Sequence, residues 1–535
     1  MRTPQIAALA NNLSSAMNDI EKIDIRHRDR PTSDTGSTKT DPDELSLTHT
    51  TKEPEGHKIQ AWLQTINGRL DRLGVEMNEI IPIPAGHRLD TQWYKIFFLW
   101  FSANLNIIGF STGTIGPAFF SLSATEAIVI ALISDVIGCL PPAFFAVFGS
   151  KLGIRSMIQS RFSFGYWGAI AVCCLNVISL QGYVILSAIV GGQTLAGVSS
   201  RIDDTLGIVI VSLISSVVAF CGCPAIQRYQ CFAWIPVSIA FIAMLVIGYP
   251  QLNANRFTSL PFGSVDDIIS FASIVVSSTL SWSTITADYG IHHSPATSST
   301  RIFIYAWLGL FIFSFTSHAL GIAFAAAAPQ ISSWNTGFNG GSSAGGLLAA
   351  VFASFGGFGK VMTALMALST SSVCALCMYS FGMSVMAIHP RFSTVPRWVY
   401  VLVSEAVLIP VAITGAKSFY TNLDDFLGAI GYWYSCFVAI PIVDHIAFRR
   451  NAFTEMSYPI TACATSALLP RSSPGMLAFL CGCTALLPFI SQAWYTGPLA
   501  CIGTGDLGVF VGFIVSGAVY IVLRKLELWR GATPM

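Results

Sequence analysis

An all-α, polytopic membrane protein of twelve transmembrane helices is the fold class the sequence predicts, and three observations predict it. The chain of 535 residues is 53% hydrophobic and only 11% charged, whereas soluble proteins carry roughly 25% charged residues. Twelve runs approach the ~20 apolar residues that one helical crossing of a bilayer requires. Lys and Arg crowd into alternate loops, as the orientation rule for membrane helices demands.

The spans read, in order, as residues 95–120, 125–149, 166–195, 205–222, 230–249, 267–287, 302–327, 361–387, 397–415, 425–447, 474–493 and 506–524. A Gly-rich stretch at 345–358 is too short to cross and reads as a membrane-surface or re-entrant piece. Thirteen Lys and Arg, among them Lys151, Arg155, Arg161, Arg449 and Arg450, fall on one side; only Arg201, Arg256 and Lys417 fall on the other. An even number of spans then leaves both termini on the positive, cytoplasmic side.

Residues 1–94 show no secretory signal and read as a cytoplasmic, largely disordered tail, too polar to fold alone apart from a short helix near 59–80. Residues 525–535 form a second cytoplasmic tail. A net charge of +1 gives no bulk signal for nucleic acid. The thirteen cysteines lie mostly in apolar runs ("VCCLN", "CGCP", "CALC", "LCGC"), the setting of small buried hydrophobes rather than of disulfides or a metal site.

Two spans carry polarity that lipid does not reward. The first, "WFSANLNIIGFSTGTIGPAFF" (Trp100 to Phe120), holds Asn104, Asn106, Gly109, Gly113, Gly116 and Pro117; the sixth, "SSTLSWSTITADYG", is dense in hydroxyls and ends near Asp288. A broken membrane helix survives only where protein or a cavity satisfies its freed backbone groups. Transporters built from two inverted five-helix repeats break their first and sixth spans at the binding site. The sequence thus divides into repeats at about 95–249 and 267–447, with extra helices at about 474–524. The first span is expected to unwind near Gly109–Gly113, with Ser102 and Asn104 flanking a solute. Asn106, about 200° round a helix from Asn104, would point elsewhere.

Ionisable groups at membrane depth are functional candidates. Asp288 reads as a solute contact, proton site or gate. Asp135 reads as a proton site or as the partner of a hydrogen bond to a neighbouring helix. His318 reads as a packing histidine, and Asp444 as an interfacial ion pair with the arginines after it.

At this point the residues match a known pattern. "WFSANLNIIGFSTGTIGPAFF", "SRFSFGYWGA", "CLNVISLQGYVILSAIVGGQTL", "LSWSTITADYG" and "PIVDHIAFRR" resemble the nucleobase–cation symporter family 1, in its fungal purine–cytosine permease branch. The resemblance runs from about residue 60 to 525. It implies a leucine-transporter-like fold with broken helices one and six, alternating access, and uptake of a flat heterocycle coupled to a cation, in fungi a proton. It also implies roles for particular positions. Trp282 matches the tryptophan that stacks on the base. Tyr183 and Ser187 stand where an aromatic and a polar residue share one face of the third span. The eighth span departs from the pattern: where the family shows an "NNxPN" cluster, "ALSTSSVCALCMYS" has Val373, Cys374, Leu376 and Cys377, leaving Ser372 and Cys377 as candidate solute contacts. Ser369 and Thr370 match hydroxyls that hold Na⁺ in sodium-coupled relatives.

Soluble-enzyme motifs fail on context. "GTGDLG" (Gly503 to Gly508) opens a membrane helix with no strand before it, and no nucleophile–base pair lies outside the membrane, so the chain does not read as an enzyme. The expected activity is secondary active transport of a small planar heterocycle, of the purine or cytosine type, across a fungal plasma membrane. Its coupling ion is a proton, it needs no cofactor, and its partners are solute and lipid. The altered eighth span leaves open a vitamin such as pyridoxine, or a secondary-metabolite intermediate or product. A channel or transceptor of the same fold, and an exporter, are the competing classes.

Overall fold

The computed structural model describes residues 66–70, 75, 80, 82–254, 263–464 and 469–530. The expected N-terminal tail lies mainly outside the described residues, as do most of the helix expected at 59–80, of which 66–70 are helical, and residues 531–535.

Among the described residues eleven helices are long and apolar enough to cross a membrane, and a bent pair makes a twelfth span. That pair is α1 (Tyr94–Asn104) and α2 (Ile107–Phe119), meeting at 53°. The second span is α3 (Ala124–Gly138) followed by α4 (Leu140–Leu152). The third is α5 (Arg161–Ala196), which bends where Gly165 takes a φ of 65°. Then come α6 (Asp204–Cys221), α7 (Cys223–Ala254), α8 (Val265–Leu280) and α9 (Ser299–Ala327). The Gly-rich stretch forms α10 (Ala344–Phe352), whose nine residues are too short to cross. The eighth span is α11 (Gly356–Leu368) with α12 (Thr370–Ile388); α13 (Arg397–Gly415), α14 (Phe419–Val443), α15 (Ser472–Leu486) and α16 (Gly508–Trp529) complete the set.

Local chemistry starts several of these helices. Ser123 and Glu126 form a reciprocal capping box ahead of α3, and the Asp203 and Ser264 side chains accept amide hydrogens at the starts of α6 and α8. All three caps lie at the end opposite the basic loops. In the interior α9 packs along α1 and α2, α12 along α5, and α8 against α3 and α14. Small residues permit these approaches. A Cβ on Gly113 would stand 2.2 Å from the His318 carbonyl oxygen, and one on Gly109 3.0 Å from Ser317 Cβ.

That packing corrects one expectation. Gly109 and Gly113 lie inside regular helix, and the first span breaks earlier, at Leu105–Asn106. The glycines serve the contact with α9, while asparagines make the break. In the sixth span the helix ends at Leu280 and the chain continues as two 3₁₀ turns, Ser281–Thr284 and Thr286–Tyr289. All thirteen cysteines are free.

Candidate functional site

The break in the first span is held by its own side chains. Asn106 has an extended backbone, with φ −150° and ψ 166°. Its amide nitrogen donates to the Ala103 carbonyl at 2.5 Å, while its Oδ1 accepts from Gly109 N at 2.9 Å. Asn104 Nδ2 donates to the Trp100 carbonyl at 2.8 Å. From α9, Ser314 donates to Asn104 Oδ1 and Ser317 to the Asn104 carbonyl, both at 3.0 Å. From the eighth span, Ser369 Oγ accepts from Ile107 N at 3.1 Å, capping α2, and donates to Met366 O at 2.6 Å. The polarity of this segment therefore goes into satisfying backbone that hydrocarbon would leave unpaired.

Beside the break in the sixth span lies a tight cleft with about 10 Å³ of open space, lined by Ser179, Leu180, Tyr183, Ser281, Trp282, Ile285, Cys377 and Tyr434. These residues come from the third span, the broken sixth, α12 and α14. Trp282 is 4% exposed and faces inward, with the Tyr183 ring 6.2 Å away at 55° and Trp100 edge-on at 5.5 Å. Trp433 Nε1 donates to Ser179 Oγ at 2.9 Å, orienting that hydroxyl. The lining offers an aromatic plate, hydroxyls and one thiol. A second cavity, also with about 10 Å³ of open space, is bounded by Trp100, Thr286 and Tyr289 at one end and by Lys95 and His293 at the other, on the basic side of the first.

Of the residues marked in the sequence, Trp282, Tyr183 and Cys377 line the cleft together. Ser102, Asn104, Ser187 and Ser372 do not line it. Asn104 is occupied by the break. Ser187 Oγ donates to the Tyr183 carbonyl at 2.7 Å in its own helix. Ser372 Oγ donates to Gln230 Oε1 at 2.5 Å, stands 3.4 Å from Ser102 Oγ, and shares its carbonyl with Gln230 Nε2 at 3.0 Å. Thr370 Oγ1 donates to Ala367 O at 3.0 Å.

Asp288 belongs to a knot at the basic end. Its Oδ1 accepts from Ser156 N at 2.8 Å, and its carbonyl accepts from Arg155 Nη1 at 2.9 Å. Arg155 also donates to the Tyr379 hydroxyl at 2.8 Å, and Arg397 lies over the same ring, 5.0 Å from its centroid. Asp135 pairs instead with His318, Oδ2 to Nδ1, at 2.9 Å. Asp444 bonds Arg449 Nε at 2.6 Å and the Tyr520 hydroxyl at 2.9 Å. The sequence reading passed over Ser179, Ser281, Tyr434 and Gln230. Ser179 sits one turn before Tyr183 on the same face, a signal that was there to be used; a lone Tyr434 in an aromatic-rich span gave none.

A twelve-span helical bundle whose first and sixth spans break next to an inward-facing aromatic cleft is a membrane transporter of the leucine-transporter fold. Solved structures agree on that fold. Mhp1, described as a nucleobase–cation-symport-1 family transporter in a closed conformation with bromovinylhydantoin bound, superposes with a TM-score of 0.61 at 16% identity, covering 84% of this chain and 94% of its own. A Na⁺-coupled sialic acid symporter gives 0.58 at 13% identity over 87% of this chain and 97% of its own.

Residues 82–512 match the family described as permease for cytosine/purines, uracil, thiamine, allantoin, and the chain belongs to it. The purine-cytosine permease fcyB of Emericella nidulans is 31% identical over 85% of this chain and 89% of its own length. A vitamin B6 transporter of Saccharomyces cerevisiae is 28% identical over 88% and 90%. The chain is thus a transporter and not an enzyme.

Proposed function

We propose that this protein carries a small planar heterocycle of the nucleobase type inward across a fungal plasma membrane together with a proton, with both termini cytoplasmic. The observation that carries the reading is the Trp282 plate, buried in the cleft beside the sixth-span break and faced by Tyr183. Stacking on such a face is worth roughly 1–3 kcal/mol per base and tolerates many rings. Support for a proton over Na⁺ comes from Ser369, whose hydroxyl is already engaged by Ile107 N and Met366 O where a hard cation would need free oxygen ligands.

A second reading has its own observation. The cleft presents hydroxyls and the Cys377 thiol where the family pattern has amides, and an amide both donates and accepts where a thiol does neither well. That lining suits a ring carrying hydroxyl groups, such as pyridoxine. Uptake of labelled cytosine by a permease-null yeast expressing the protein, competed with unlabelled adenine, guanine and pyridoxine, separates the two. Competition by the bases supports the first reading, and competition by pyridoxine alone the second. Absence of uptake for every one of them overturns both.

A further inference from the structure

We propose that the buried pair Asp135–His318 is the site that binds and releases the coupled proton. The inference rests on the proton-coupled reading above and assigns that reading its chemical group. Asp135 lies on α3 and His318 on α9, with side chains 0% and 3% exposed. The 2.9 Å between Oδ2 and Nδ1 places one proton between the two side chains. The second carboxylate oxygen, Oδ1, is buried and has no hydrogen-bond partner. From the end opposite the basic loops, Asp135 lies 11 residues inside its helix, counted from Ala124, and His318 lies 9 inside its own, counted back from Ala327, roughly 16 and 14 Å at 1.5 Å per residue.

With the coupled proton bound, in addition to the one that bridges Nδ1 and the carboxylate when the imidazole is neutral, the pair carries no net charge, as carboxylate with imidazolium or as acid with neutral imidazole. Without it the pair carries one negative charge, which costs heavily in a dry interior. The pair is therefore stable when loaded and closed off, and gives up its proton only when a conformational change admits water.

Neighbouring charges do not blur this behaviour. α2 contributes no ionisable side chain. On α8, Asp266 and Asp267 stand in the first turn; on α4, Lys151 stands in the last; on α1, Tyr94 and Lys95 stand in the first turn. Glu126, in the first turn of α3, is bonded to Ser123 and to Gly263 N. α7 carries Cys223, Arg228, Tyr229, Cys231 and Tyr249 elsewhere along its length. Among the described residues the Cys139 thiol, one turn on from Asp135, is the further titratable group beside the carboxylate.

The pair is mechanically tied to the solute cleft. His318 follows Ser314 and Ser317, which grip Asn104 at the break, and the His318 carbonyl packs on Gly113 with no space for a methyl group. The same broken span carries Trp100, whose ring meets Trp282. A change in α3–α9 separation on losing the proton would thus be passed through α9 to the first span and on to the solute plate.

The test uses the purified full chain in liposomes, with whichever of labelled cytosine, adenine or pyridoxine the yeast assay registers. Wild type is expected to concentrate that solute under an inward proton gradient and to exchange it at equal pH. D135N and H318Q should each keep exchange while their gradient-driven accumulation ratio falls to unity. An infrared pH titration of the lipid-embedded protein should show a titrating carboxyl band that D135N removes and H318Q shifts. Undiminished accumulation in either variant overturns the assignment while leaving proton coupling intact. Loss of exchange together with accumulation in both variants, with protein still monodisperse, makes the pair structural and also overturns it. Exchange without gradient-driven accumulation in wild type removes the coupled reading itself, and the assignment with it.

Discussion

Trp100 meets Trp282 edge to face, with ring centroids 5.5 Å apart and planes at 66°. One indole belongs to the last turns of the helix before the first break, the other to the 3₁₀ turn that replaces helix in the sixth span. The two interrupted spans therefore touch through aromatic rings at the cleft wall. Removing the inner ring tests the site directly. W282A should raise the KM for uptake by about 5–150-fold, the range that corresponds to losing ~1–3 kcal/mol. W282F should recover most of that. Uptake kinetics at matched surface expression supply the measurement.

Asn106 closes the first break with both ends of its amide. N106A strands the Ala103 carbonyl and the Gly109 amide, each a buried group whose loss of a partner costs about 1–3 kcal/mol. N106D keeps the acceptor for Gly109 N and loses the donor to Ala103 O. Thermal melts in detergent should rank wild type above N106D and N106D above N106A.

The α2–α9 contact predicts a graded response to added methyl groups. G113A drives a Cβ to 2.2 Å from a backbone oxygen, whereas G109A meets a side-chain carbon at 3.0 Å. Overpacking costs typically about 1–3 kcal/mol, so G113A should lower the melting temperature and surface yield markedly and G109A only slightly. Equal effects from the two would contradict the contact geometry.

At the basic end, Asp288 acts on Ser156 N as an acceptor through Oδ1. An asparagine carbonyl can fill that role and an alanine cannot. D288N should transport near wild-type levels, and D288A should fall well below it in the same uptake assay. A D288N as damaged as D288A would mean that the charge itself, not the hydrogen bond, is required.

Sodium dependence tests the Ser369 clasp. With its hydroxyl held by Ile107 N and Met366 O, replacing external Na⁺ by choline should leave uptake unchanged. S369A, which uncaps α2, should slow it.

The spans and the two interrupted helices were legible in the sequence because apolar runs and basic loops are properties of composition, which the bilayer enforces segment by segment. Trp282 was marked by its match to the tryptophan of the resembled family, and the structure places it in the cleft wall. The point of fracture in the first span was not legible. Glycine permits both a break and a close helix contact, and only the partner, His318 and its neighbours on a span some two hundred positions away, decides between them. For the same reason Asn104 read as a solute contact, although Ser314 claims its oxygen. The Asp135–His318 pair was visible as two separate residues, and nothing local linked them.

A carrier must make half of its journey without cargo. In this chain the discontinuity of the first span is bridged by Asn106, which is covalently part of it, so closing the joint requires no group from a passenger. The backbone groups freed at this joint are met from inside the protein, by two asparagines and the serines that hold one of them.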